Sequence, residues 1–73
     1  MNIADMNIHI RKELLPVNKE RLQDEIRVLE GVTAARFNSK MNNWLNVLYD
    51  PQVISSMLIL KQARQWDEEA IVF

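Results

Sequence analysis

The sequence predicts an α+β sandwich of order βαββαβ, a four-stranded antiparallel sheet with two helices on one face, and three observations predict it. Met6, Ile8 and Ile10 alternate with Asn7, His9 and Arg11, the period of a half-buried strand. Leu22, Ile26 and Leu29 recur at helical spacing with charges between them. The segments "VTAARFN" and "WLNVLYD" are two alternating runs joined by the turn-rich "SKMNN".

The first strand begins near Asp5. Pro16 then suits the start of a helix, Asn18 is the expected N-cap, and the helix runs to about Glu30. Gly31, the only glycine, stands where a helix C-cap requires positive φ. In the second strand Val32, Ala35 and Phe37 form a loose series. In the third, Leu45, Val47 and Tyr49 alternate against Trp44, Asn46 and Leu48. Asn42 and Asn43 are expected to adopt the left-handed conformation of a tight hairpin turn. Asp50-Pro51 ends the third strand, and Ser55 or Ser56 caps a second helix that carries Leu58, Ile59, Ala63 and Trp66 and ends near Trp66. "DEE" is a polar connector, and "AIVF" is a short last strand. The order is the ferredoxin-like split unit, and 73 residues leave room for one domain, 1–73.

Composition narrows the function. With 48% hydrophobic and 26% charged residues the chain is of ordinary globular make-up. A formal net charge of -1 provides no bulk attraction to nucleic acid or anionic lipid. Zero cysteines exclude disulfides, thiolate metal sites and cysteine nucleophiles. The N-terminal "MNIADMNIHI" lacks a basic region and interrupts its apolar residues with Asp5 and His9, so it is not a signal peptide, and no apolar run approaches the length of a membrane span. A cytoplasmic protein without membrane association is expected.

"LEGVTAARFN" followed by "VLYDP" resembles the heavy-metal-associated domain family. Leu29, Gly31, Val32, Phe37, Asn38, Val47, Tyr49, Asp50 and Pro51 carry the resemblance, which covers roughly Ile8 to Phe73. It implies the same βαββαβ fold. Members that move copper bind it through a Cys-x-x-Cys motif in the loop after the first strand, and counting back from Gly31 places those thiols at Leu15 and Asn18. Leucine offers no donor and an asparagine amide is a hard, weak one, so the family's activity is not expected here. The resemblance thus implies the fold and withholds the chemistry.

A substitute metal site from Met6, His9 and Met57 suffers because Met6 and His9 have opposite strand parity. A metal ion and cofactors are therefore not expected. Nucleic-acid binding on the open sheet would use His9, Arg11, Arg36 and Trp44, but Trp44 stands alone as an aromatic there, so no nucleic acid is expected. "ELLPVNK" has neither the glycines nor the arginine of a phosphate cradle, so no enzyme activity is expected. Helix one's mixed charges, among them Lys19, Glu20, Gln23, Asp24 and Arg27, read as a solvated surface, and Glu68 and Glu69 as solubilising residues.

An interaction surface says more. If Leu58, Ile59, Ala63 and Trp66 face the core, Met57, Leu60 and Arg64 lie on the outer side of helix two, while Trp44 and Leu48 fall on the uncovered sheet. Trp44, Leu48, Met57 and Leu60 are the expected contact residues, for a protein partner or for self-association. The alternative is a weak metal-binding or metallochaperone-like protein using Met and His donors.

Overall fold

The computed structural model describes residues 2–73. Its elements are β1 (Ala4–His9), α1 (Pro16–Arg27), β2 (Val32–Phe37), β3 (Trp44–Tyr49), α2 (Ser56–Ala63) and β4 (Ile71–Val72). The four strands form one antiparallel sheet in the order β2-β3-β1-β4. No helix among the described residues is long and apolar enough to cross a membrane.

The core lies between one sheet face and the two helices. Met6, Ile8, Leu45, Val47, Tyr49 and Ala35 enter it from the strands, Leu22 and Ile26 from α1, and Ile59, Leu60 and Ala63 from α2. Each fully buried aliphatic side chain contributes roughly 1.5–3 kcal/mol, so these few residues must account for most of the stability of so short a chain.

Several local expectations are corrected. The N-cap of α1 is Leu15, whose carbonyl accepts from the Asn18 and Lys19 N–H groups; Pro16 presets the helical φ at the first position and leaves Asn18 inside the first turn. The helix stops at Arg27, and Leu29 packs on the core from the turn beyond it. Ser55 caps α2 with its hydroxyl accepting from the Leu58 N–H at 3.3 Å, and that helix ends at Ala63 rather than Trp66. Among the described residues no non-glycine takes positive φ, so Asn42-Asn43 is not a left-handed turn. Instead, the Asn38 carboxamide oxygen accepts from the Lys40 and Met41 N–H groups at 2.8 and 2.9 Å, holding a longer connection closed.

The uneven spacing of Val32, Ala35 and Phe37 has a cause. Val32 opposes Tyr49 and Ala34 opposes Leu48, so Thr33 is an extra residue in a β-bulge, which lets positions three apart face the core.

Gly31 has φ +96, as its expected conformation requires, but it works in the turn before β2 and not directly at the helix end. Its carbonyl accepts from the Asp50 N–H at 2.8 Å. A Cβ there would lie 2.8 Å from Ile54 Cγ2 and 2.9 Å from Val53 Cβ. Backbone conformation and close approach to the β3–α2 connection both demand glycine. Gly31→Ala is therefore expected to cost roughly 2–4 kcal/mol, from strain plus overpacking. Urea unfolding of the two proteins measures it, and a loss below about 1 kcal/mol would show that the turn relaxes freely.

Candidate binding face

The face of the sheet opposite the helices is uncovered, and strand register fixes what it carries. One row across it holds Trp44, His9 and Ile71; the next Arg36, Asn46 and Asn7, with Phe73 bound to Asn7 through its N–H at 3.0 Å; the third Ala34, Leu48 and Asp5. No lysine or glutamate stands in these rows.

The aromatic residues come together. The His9 and Trp44 rings stack with centroids 4.7 Å apart and planes 30° apart. Phe73 lies 4.9 Å from Trp44 in a tilted arrangement and 6.0 Å from His9 edge-on. Pairs at such separations add roughly 0.5–1.5 kcal/mol beyond area burial. The expectation that Trp44 stands alone is thus corrected, because β4 delivers Phe73 to the same face and the β1–β3 pairing brings His9 directly opposite Trp44. Beside them the Asn46 amide donates to the Asp5 carboxylate and, at 3.0 Å, to the Asn7 carboxamide oxygen. Arg36 makes no side-chain hydrogen bond or ion pair among the described residues, which leaves the one cation of this face free.

Of the four expected contact residues, the structure places two on one face, with one row of the sheet between them. Trp44 and Leu48 are half-buried on the open face. Met57 is 69% exposed on α2, away from the open sheet face, and its helix neighbour Leu58 is exposed too. Leu60 is buried, at 8% exposure, and Leu58 is the outward residue in its place. The helix phase is the reason: Ser55 as cap makes Ile59 and Ala63 the inward stripe, and Leu60 flanks it. Trp66, expected on the helix, follows it instead, and its indole N–H donates to Glu25 Oε1 at 2.8 Å, which also accepts from Gln62 at 2.9 Å.

The expected Met and His donors are not brought together. Met6 is buried in the core, His9 is on the opposite face, and Met57 is on α2. At the positions where the resemblance places thiols, Leu15 is 65% exposed and Asn18 lies within the first turn of α1. Neither residue supplies a soft donor, so they do not fit a copper ion.

The loop between β1 and α1 is anchored by Asp67, the one buried charged residue among those described. Asp67 Oδ2 accepts from the Arg11 N–H at 2.7 Å and the Lys12 N–H at 3.0 Å, and Oδ1 from the Glu69 N–H at 3.0 Å. A cleft of about 500 Å³ beside it is lined by both signs, Arg11, Lys12 and Arg64 against Glu68 and Glu69. It is a solvated surface with no nucleophile and base paired in it.

No family model and no curated protein matches this chain. Solved structures do. Oxidized MerP from Ralstonia metallidurans CH34 superposes with a TM-score of 0.82 at 13% identity, covering 97% of each chain. A copper binding domain from HMA7, a P-type ATPase, gives 0.80 at 14% identity, covering 94% of this chain and 92% of that one. The CopZ metallochaperone gives 0.69 at 18% identity, covering 99% and 100%. The chain has the heavy-metal-associated fold. It has that fold without cysteine, and at these identities the likeness is one of architecture.

Burial pushes the Asp67 carboxyl up, but the N–H groups of Lys12, Glu69 and Arg11, with the Lys12 charge, outweigh it and hold the carboxyl below its ordinary value. Its stabilisation is therefore complete above the unfolded-state pKa of about 3.9 and is lost as pH falls through the lower folded value. Asp67→Asn, which turns an NH₂ toward a backbone N–H, is expected to cost roughly 1–3 kcal/mol at neutral pH. Urea midpoints should differ most above about pH 4 and converge in stronger acid; a difference constant with pH would assign the loss to packing instead.

Proposed function

We propose that this protein is a small non-enzymatic binding module that acts through protein–protein contacts on its uncovered sheet face. The observation that carries the proposal is the cluster of His9, Trp44 and Phe73, on the same uncovered face as Leu48, a face without lysine or glutamate in its strand rows. Interface centres are enriched in aromatic residues and arginine and depleted of Lys and Glu, and this face has that composition whereas the outer surface of α1 does not. Trp44 and Leu48 are the residues assigned to contact, with His9 and Phe73 supporting them. Met57 belongs to a separate exposed patch on α2, and Leu60 acts in the core.

Metal carriage is the second reading, and what favours it is the fold: one structural neighbour is a copper binding domain and another a metallochaperone. For this chain it requires donors other than Met6 and Met57 and other than the residues at the thiol positions.

Photo-crosslinking tests the first reading. A photoreactive residue introduced at position 48 is expected to give discrete protein adducts in cell extract, abolished by Trp44→Ser, while the same residue at the exposed Arg21 position on α1 gives none. No adduct at 48, or equal yields at both positions, would remove the sheet face as the contact surface. A single adduct of twice the chain mass would identify the partner as a second copy.

A further inference from the structure

The middle row of the uncovered sheet face carries an aromatic ring at one end and a cation at the other. From β4 to β2 it runs Phe73, Asn7, Asn46, Arg36. Phe73 is 70% exposed, and Arg36 is exposed too, its guanidinium without a partner among the described residues. Neighbouring strands lie about 4.8 Å apart, so these two stand roughly 14 Å from each other with two asparagines between them. The one carboxylate in the rows, Asp5, already accepts from the Asn46 amide. The unspent charge of the face is therefore Arg36.

This layout is complementary to itself. A two-fold axis along the strands, between β1 and β3, lays one sheet face on another and reverses the strand order, so that β4 of each copy crosses β2 of the other. Each Arg36 guanidinium then meets the partner's Phe73 ring, a cation–π contact made twice. Asn7 faces the partner's Asn46 and His9 faces the partner's Trp44. Asn46 spends its N–H groups within its own chain, which leaves its oxygen to accept from the opposing Asn7 amide. The alternative in-plane axis, across the strands, keeps each strand over its own copy and sets Arg36 against the partner's Arg36. Like charges brought together in a covered face are costly, which decides between the two. Sheets also pack stably with their strands aligned to within about 30°, as the first axis requires.

We propose that the partner of the uncovered face is a second copy of this chain, packed face to face about a two-fold axis along the strands, with Arg36 on the partner's Phe73 as the reciprocal contact. The inference rests on the sheet-face reading above and commits it to one occupant. A face of about 19 by 20 Å offers roughly 400 Å² of projected area per copy, about half of what a standard interface buries. The dimer is accordingly reversible and forms at high concentration.

Sedimentation equilibrium of the intact protein, from about 10 µM to 1 mM, is expected to show the mass rising from one chain toward two. In a mixture of isotope-labelled and unlabelled chains, filtered nuclear Overhauser spectra, which select contacts between chains, should connect the Arg36 side chain to the Phe73 ring. Arg36→Glu should weaken the dimer roughly tenfold or more, because the contact is lost twice, with the thermal midpoint of the dilute protein unchanged. Lys61→Glu, an exposed charge change on α2, should leave association as it is. The proposal is overturned by a mass that stays at one chain up to millimolar protein, by a dimer whose filtered signals arise from Val53, Met57 and Leu58 instead, or by Arg36→Glu associating like the native chain. A monomer that still gives adducts with other proteins at position 48 removes the second copy and leaves the sheet-face contact standing; a dimer joined elsewhere and silent at position 48 removes both.

Discussion

One carboxylate holds the parts of this molecule in register. Asp67 sits where α2 has ended and β4 has not begun, and it takes N–H groups from Arg11 and Lys12 on one oxygen and Glu69 on the other. Its own carbonyl accepts from the Ala70 N–H at 3.0 Å, and the Ala70 carbonyl accepts from Arg64 Nε at 3.0 Å. A strand of two residues has too few ladder bonds to find its place unaided. Asp67 fixes the approach of β4 to β1, and this approach brings Phe73 against His9 and Trp44. The aromatic face is thus a consequence of a buried charge on the far side of the strand ends, transmitted through five residues of backbone.

The sheet edges explain why the face, and not an edge, is the surface left uncovered. β2 is one edge of the sheet, and an open edge invites pairing with another chain. Here α1 closes it: Gln23 Oε1 accepts from the Phe37 N–H at 2.6 Å, and Arg27 Nε donates to the Ala35 carbonyl at 2.8 Å. Gln23 and Arg27 are four apart, one helical turn, and so reach alternate outward groups of the strand. Lys19, another turn back, lies over the Phe37 ring at 5.4 Å and donates to the Asn42 carbonyl at 2.9 Å. The residues that the sequence shows as a solvated, self-paired helix face are therefore largely committed to the strand beside them; the Asp24–Arg27 pair at 3.2 Å is all that remains of self-pairing, and at this exposure it contributes little. At the opposite edge β4 is too short to template an added strand.

Most of the fold is legible in the residues because alternation and helical spacing report burial directly. Met6, Ile8, Leu45 and Val47 declare the inner face, and Leu22 and Ile26 the helix stripe. What is not legible has physical reasons. The run "MLIL" is apolar at every position, so its phase comes from the cap at Ser55 and not from its pattern, and Leu58 and Leu60 exchange their expected places. Asn18 is a good capping residue in isolation, yet Pro16 two positions earlier has already fixed the helix start. The bulge at Thr33 leaves only a broken alternation as its mark. The aromatic cluster is the least legible feature, because it depends on the register of β4, and two residues of strand carry no pattern from which to read a register.

The loop after β1 shows how a fold and a chemistry separate. Leu14 is buried at the end of the core, Pro16 sets the helix, and Asp67 fastens the loop's backbone, so its shape is determined without a metal ion. Leu15 and Val17, both exposed, sit at its outer surface as apolar side chains. An ion held at this loop would have to hold it through side chains that have no lone pair suited to the task. His9 and Met41, at the same end of the molecule, are placed by different constraints, the β1–β3 pairing and the Asn38-closed connection. Those constraints would persist if the loop were entirely rebuilt, because neither Ile10–Asn43 pairing nor the Asn38 turn uses a residue from 13 to 18. The placement of His9 and Met41 therefore rests on the sheet and its hairpin, and the shape of the loop on the core and Asp67.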